Sequence, residues 1–223
     1  MQNSRKYEYL VLFDLDGTLT TVHSPWRYLL KKQGVWKTQG HKNVQDFLNG
    51  RIPGTIEEQY LEFCLRDAAL LKGLPQSQYR SLLDQIPYRE KIDLLMTTIQ
   101  QLNARTVIIS AGFAYLAQKT CHKYGIDDYF ANDLLFTDGF LNGLVKVQVG
   151  WYGKRSIVQT LKSAYNLDSD HVITFGDGST DIGMFEEAKY SFACFNASES
   201  AITSAKYHIL DFEDAINILQ SQL

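Results

Sequence analysis

Asp14 and Asp16 are two carboxylates placed two residues apart, directly after the apolar run Tyr9-Leu-Val-Leu-Phe13. At a strand end, side chains two apart share a face. Gly17 permits a tight turn after them, and Thr18 can hydrogen-bond locally to hold the loop. A carboxylate that is ionised at neutral pH can attack phosphorus, and a neighbouring protonated carboxyl can pass a proton to the leaving oxygen. Phosphoryl transfer also needs cationic help for the charge that develops. A second acidic pair, Asp177 and Asp181, lies four apart in Gly176-Asp-Gly-Ser-Thr-Asp181. Mg²⁺ prefers oxygen ligands, so Asp14 and Asp177 are expected to hold it with Asp181 in support. Read alone, Asp-x-Asp is more often a turn, and Asp181 more often a helix cap.

Ser110 closes the apolar run Val107-Ile-Ile109, and Ala111-Gly112 leads on toward a helical pattern. Such a turn can aim a hydroxyl and N–H groups at a phosphate. Lys154 follows Gly153 at the start of another helical pattern. A single lysine is ordinarily a solvated surface group; its weight here comes from its place in the series.

Positioning these groups requires strands that end together. Compact apolar runs occur at Tyr7–Phe13, Thr106–Ser110, His171–Phe175 and Ser191–Phe195. Helical patterns at 92–103, 113–124, 153–165 and 181–188 alternate with them. That alternation predicts an α/β fold, a Rossmann-like doubly wound parallel sheet covered on both faces. Ligands bind at the carboxyl ends of such strands, so Asp14, Ser110 and Asp177 should converge on one crevice. Between Thr21 and Tyr88 no strand is evident and several helical stretches occur, at 26–33, 44–48 and 55–71. This predicts a helical cap, 21–88, inserted into a core made of 1–20 and 89–223. The segment 133–149, with Asp138-Gly139 at its turn, predicts a small β-hairpin flap.

Composition restricts the remaining classes. The 223 residues are 45% hydrophobic and 21% charged, with a net charge of −3. That is a globular composition without the basic excess a nucleic-acid surface needs. Three widely spaced cysteines, Cys64, Cys121 and Cys194, favour neither a disulfide framework nor a thiolate metal site. The polar start and the short run Tyr9–Phe13 offer no membrane span or signal core, so the expected location is cytoplasmic. Of the 28 aromatics, Trp26, Tyr28 and Trp36 are candidates for the substrate mouth, and Trp151 for placing Lys154.

Taken in order, Asp14-Leu-Asp16-Gly-Thr18, Ser110, Lys154 and Gly176-Asp177-Gly178-x-x-Asp181 resemble the haloacid dehalogenase superfamily of phosphohydrolases. The resemblance implies an Mg²⁺-dependent phosphomonoester hydrolase acting on a small phosphorylated metabolite. It makes Asp14 the nucleophile and Asp16 the general acid/base. Ser110, Ala111 and Lys154 would meet the phosphate. Asp14, the carbonyl of Asp16 and Asp177 would ligate the metal, supported by Asp181, Gly178 and Thr18. The strings Ile109-Ser-Ala-Gly-Phe113, Ala131-Asn132 and Ala69-Leu-Leu-Lys-Gly-Leu-Pro75 are most similar to the phosphoserine phosphatase branch. That branch reads the serine ammonium with a glutamate nine residues after the nucleophile, where this chain has His23. It reads the carboxylate with an arginine where this chain has Asp67, one residue after Arg66. His23, Arg66 and Asp67 are therefore the candidate specificity residues, with Asp67 expected to favour a cationic or hydroxylated leaving group. The alternatives are phosphoserine hydrolysis itself, transfer to an alcohol instead of water, and a non-catalytic phospholigand module. The last is disfavoured because all four aspartates are present.

Overall fold

Alternate residues of the first strand, β1 (Tyr9–Phe13), face opposite ways. Val11 and Phe13 belong to one buried cluster, Leu10 and Leu12 to another. A strand buried on both faces needs helices above and below it, which is how this computed structural model, describing residues 6–223, is built.

Seven strands form one sheet in the order β4-β3-β2-β1-β5-β6-β7. The other six are β2 (Ala104–Phe113), β3 (Asp128–Thr137), β4 (Phe140–Lys146), β5 (Val172–Gly176), β6 (Tyr190–Cys194) and β7 (Tyr207–Ile209). All neighbours pair in parallel except β3 with β4, the antiparallel hairpin. In register, Leu12 lies beside Val107 of β2 and Thr174 of β5. The chain winds from β1 toward β2 and β3, then returns to lay β5 on the other side of β1. The direction of winding thus reverses beside Asp14, which is where open parallel sheets leave a crevice.

Between β1 and β2 lie α1 (Pro25–Lys32), α2 (His41–Leu48), α3 (Ile56–Leu70), α4 (Gln76–Asp84) and α5 (Ile92–Gln100). Ser24 caps α1, with Pro25 at its first turn. Thr55 and Glu58 cap α3 reciprocally: Thr55 N donates to Glu58 Oε2 at 2.7 Å and Glu58 N to Thr55 Oγ1 at 3.4 Å. The chain leaves the sheet and returns to it as a clamped pair: Thr21 N donates to Pro87 O, and Arg89 N to Leu19 O, both at 2.9 Å. The helices are also tethered to the hairpin, since Gly73 N donates to Leu141 O (2.8 Å) and Leu141 N to Leu74 O (2.9 Å).

The rest of the chain contributes α6 (Ala114–Tyr124), α7 (Gly153–Tyr165), α8 (Ile182–Phe185), α9 (Glu199–Ser204) and α10 (Phe212–Gln222). Several elements differ from the sequence expectation. The hairpin's first strand begins at Asp128 rather than 133, because its first half pairs in parallel with β2. Asp127, Asp128 and Asn132, which read as loop residues, hide this. β2 runs on past Ser110 to Phe113, but its ladder to β3 slips between those residues, so Ser110 still ends the regular pairing. The helix expected over 181–188 contracts to Ile182–Phe185 after a single 3₁₀ turn, Ser179–Asp181. A π-helical turn, Trp36–Gly40, joins α1 to α2, and α4, α9, β7 and α10 were not expected at all. Among the described residues no helix is long and apolar enough to cross a membrane.

Candidate active site

The loop after β1 is anchored before it turns. Asp14 N donates to Phe175 O on β5 at 2.8 Å, extending the ladder by one residue. Leu19 N and Thr20 N then both return to Leu15 O, closing a tight loop. Gly17 sits at its tip with φ +96°, and a Cβ there would strike Asp177 and His23. Arg89 Nη2 donates to Gly17 O at 2.9 Å, which ties the loop to the return of the helical segment.

Two neighbouring strands, β2 and β5, and the turn into α7 deliver polar side chains to this loop. From the turn into α7, Lys154 Nζ reaches Asp14 Oδ1 and Asp181 Oδ1, each at 2.5 Å. Asp181 Oδ2 accepts from the backbone N–H of Asp177 and Gly178, both at 2.9 Å, so both its oxygens are engaged. A Cβ on Gly176 would collide with Asp181, so the strand end needs glycine there. Thr18 Oγ1 donates to Asp177 Oδ1 at 3.4 Å. From β2, Ser110 Oγ donates to Asp16 Oδ2 at 2.7 Å and accepts from Gly112 N at 2.8 Å. A Cβ on Gly112 would meet Asp16 on one side and Pro25 of α1 on the other.

Burial dominates the electrostatics. It pushes the Asp16 carboxyl up to about 8, helped by the charge of Asp14 and opposed by the Ser110 hydrogen bond. Asp16 Oδ1 is buried and has no hydrogen-bond partner among the described residues. Its burial therefore favours the protonated form. Burial also raises Asp14 well above the usual carboxylate range, against the pull of Lys154, and raises Asp177 to about 7. Burial would depress the Lys154 ammonium, but Asp14 and Asp181 outweigh it and hold it charged.

One ammonium serves four buried carboxyls, and three of them are raised by burial and by that crowding. Oxygens of Asp14, Asp177 and Asp181 all lie within 4.8 Å of one another. An all-oxygen donor set of this kind fits a hard divalent cation such as Mg²⁺. With Asp181 already committed to Lys154 and two amides, Asp14 and Asp177 are the carboxylates with capacity to spare.

A cavity of about 660 Å³ opens over these groups. Asp14, Asp16, Asp177, Gly178 and Asp181 form its floor, with Ala111 and Gly112 beside them. Ser110, Lys154 and Thr18 lie beneath, behind the carboxylates that they hold. The wall comes from the helical segment, from Trp151, and on the core side from Ser179, Thr180, Asn196 and Ser198.

The specificity candidates separate. His23 lines the cavity, with Nδ1 2.5 Å from Asp177 Oδ2, a contact that needs one proton between the two groups. Arg66 does not reach the cavity; its Nε pairs with Glu62 (2.8 Å) and its Nη1 with Asp46 (4.0 Å). Asp67 is 1% exposed and takes a hydrogen bond from Asn43 Nδ2 at 2.7 Å, inside the helical segment and off the cavity wall. The expectation that Asp67 faces the leaving group is thus corrected. Helix α3 turns Tyr60 and Phe63 toward the cavity instead. Trp26 lines the cavity, whereas Tyr28 and Trp36 do not.

Sequence reasoning passed over Arg27, Asn196 and Ser198, which also line the cavity, because no motif marks them. It also gave Asn132 no role beyond a family string. Fully buried, Asn132 donates to Ala111 O and Val149 O and accepts from Gln148 N and Val149 N. It thereby fixes the loop beside Ser110 to the segment that leads into Lys154.

Comparison with known proteins places this arrangement in context. Residues 11–186 match the family model for haloacid dehalogenase-like hydrolases. The phosphoserine phosphatase of Idiomarina loihiensis is 26% identical over 205 residues, covering 90% of this chain and 87% of that protein. That of Methanocaldococcus jannaschii is 25% identical, over 84% of this chain and 86% of its own. A structure of a phospho-aspartyl intermediate analogue of phosphoserine phosphatase superposes with a TM-score of 0.81 at 24% identity, covering 96% of this chain and 99% of that one. A HAD family hydrolase from Salmonella enterica gives 0.85 at 20% identity, covering 99% of this chain and 74% of its own. At these identities the superpositions establish the fold.

Proposed function

The chain belongs to the haloacid dehalogenase-like hydrolases, and from that premise we propose that it hydrolyses phosphomonoesters of small metabolites through a phosphoenzyme on Asp14. The observation that carries this reading is the division of labour between two carboxyls on one cavity floor. Asp14 is paired with an ammonium at 2.5 Å, which opposes its burial, while Asp16 has no cationic partner among the described residues, is pushed up to about 8 and keeps one oxygen unpartnered. Pairs of carboxyls whose environments differ in this way supply a nucleophile and an acid at the same pH.

In the first half-reaction an Asp14 oxygen bonds to phosphorus as the ester P–O bond breaks. Asp16 gives its proton to the departing oxygen. In the second, Asp16, now ionised, takes a proton from water as the water oxygen bonds to phosphorus and the Asp14–phosphorus bond breaks. Phosphate leaves, and both carboxyls return to their starting states. In this structure Ser110 orients Asp16; with substrate bound its single hydroxyl proton can turn to a phosphoryl oxygen, and the Ala111 backbone and Lys154 supply the other donors. Lys154 also holds Asp14 against Asp181. Mg²⁺ would be held by Asp14, Asp177 and the main-chain carbonyl of Asp16; when bound it offsets the charge of the phosphoryl group and the carboxylates. We assign residues 21–88 as a cap over the core 1–20 and 89–223, swinging on the paired crossings at Thr20-Thr21 and Tyr88-Arg89 to shut water out.

The test is Asp14→Asn, assayed with p-nitrophenyl phosphate and Mg²⁺ and by acid-quench labelling from a ³²P ester. Turnover and acid-stable label should both disappear while the circular dichroism spectrum is unchanged. Turnover that survives in the purified variant overturns the mechanism.

A further inference from the structure

The four carboxylates that line the cavity all belong to its floor. Above them one side of the wall is aromatic. Trp26, Tyr60, Phe63 and Trp151 line it, from α1, α3 and the loop before α7. These rings are set in advance. Phe47 stacks on Phe63 with centroids 5.2 Å apart and meets Trp151 edge-on at 4.9 Å; Trp151 also contacts Tyr60 at 5.8 Å. Trp26 packs on Phe113 at 4.6 Å, and its Nε1 donates to Ala111 O at 3.2 Å. Phe63 and Trp151 are half-buried, whereas Trp26 and Tyr60 are buried, so a flat group can lie on the open part of the first two without reordering the wall.

The wall's charge is equally one-sided. Arg27 lines the cavity, its guanidinium stacked over Trp36 at 4.9 Å. No acidic side chain among the described residues pairs with it. Stacking occupies the face of a guanidinium and leaves its in-plane N–H fork, which suits a carboxylate. No acidic residue of the wall is available to a substrate ammonium, since Asp67 is turned inward to Asn43. An amino-acid leaving group would bring an ammonium with no partner there, and an unpaired polar group strongly disfavours a ligand.

We infer that the leaving group of the natural substrate is a planar aromatic body bearing its own carboxylate or similar anion, the ring lying among Trp26, Phe63 and Trp151 and the anion meeting Arg27. The cavity's size, about 660 Å³, is that of sites for ligands with such a body. This inference rests on the phosphomonoesterase reading above, and the experiment separates the two.

Binding is read by quenching of tryptophan fluorescence in the Asp14→Asn protein with Mg²⁺, using 4-carboxyphenyl phosphate, phenyl phosphate and O-phosphoserine. Turnover of the same esters is measured with the wild type. The carboxyaryl ester should bind about 10- to 100-fold more tightly than phenyl phosphate, the span expected for one hydrogen-bonded charge pair, and phosphoserine most weakly. Arg27→Met should bring the ratio between the two aryl esters close to one, while Arg51→Met, on the outer surface beside Asp46, should leave that ratio as it is. Phosphoserine binding as tightly as the carboxyaryl ester, or an unchanged ratio in Arg27→Met, overturns the inference. The expected binding order with no wild-type turnover of any ester supports the inference about the wall and overturns the phosphatase chemistry alone.

Discussion

On the floor of the cavity, polar side chains hold one another. Lys154 joins Asp14 to Asp181, Ser110 joins Asp16 to the turn at Gly112, and Asp181 takes two backbone amides. On the wall, rings pack against rings, and few polar contacts cross between the two regions: Trp26 Nε1 to Ala111 O, and His23 to Asp177. The floor is thus one connected network in which a lost member strands its partners. The wall is a set of packing contacts that can be altered one at a time. On the proposed reading chemistry and selectivity fall to regions with different physics, and they should then fail differently.

The largest effect should come from the floor's acid. Asp16→Asn removes the proton donor, so hydrolysis of an alkyl phosphate should fall by about 10²- to 10⁴-fold. An aryl ester, whose leaving oxygen needs less protonation, should lose less. Equal losses on both esters, measured as kcat/KM, would break the assignment of Asp16 as acid.

Next is Lys154→Met, which leaves Asp14 and Asp181 buried without their ammonium. Stability should drop by about 3–5 kcal/mol, read from urea unfolding without added divalent cation. A loss below about 1 kcal/mol would show that the floor is not a coupled network.

A buried charge in the helical segment gives the contrasting case. Burial raises the Asp67 carboxyl to about 6, opposed by its hydrogen bond from Asn43. The folded state therefore holds this proton more tightly than the unfolded chain. Stability is greatest below the unfolded pKa near 4, falls as pH rises to about 6, and stays reduced above it. The loss amounts to about 3 kcal/mol at most. Asp67→Asn keeps the acceptor for Asn43 and removes the charge. It should melt higher than the wild type at pH 7.5, by about 1–3 kcal/mol in stability, and the difference should shrink toward pH 4. A pH-independent difference would mean that the carboxylate is solvated in place.

The smallest effect should be Phe63→Leu on the wall. Its packing change should cost about 1 kcal/mol of stability and shift the preference among esters by KM more than by kcat. A large fall in kcat for a small ester such as methyl phosphate would show that the wall also positions the floor.

Gly112 is where the two regions nearly touch, since a Cβ there would meet both Asp16 and Pro25. Its place after Ser110 was legible as part of a phosphate-facing turn, but its double contact was not. Similar limits run through the chain. The floor was readable because each of its groups sits at the end of an apolar strand or the start of a helix, and strand ends in a parallel sheet converge. β3 was half missed because Asp127, Asp128 and Asn132 look like loop residues. Asn132 is instead a buried four-bond clamp, a role visible only once its partners at 111, 148 and 149 are brought beside it.

Sequence by itself determined which groups meet on the cavity floor. Asp14, Asp16, Ser110, Lys154, Asp177 and Asp181 stand at element boundaries, and local spacing together with the strand–helix alternation is enough to bring them together. Tertiary structure alone decided what lines the cavity wall. Neighbouring residues on a helix are turned about 100° apart, so a register estimate one or two places off reverses inside and outside. Asp67 thereby went to the interior of the helical segment and Arg66 to its surface, while Arg27, Tyr60 and Phe63, which carry no motif, came to line the cavity.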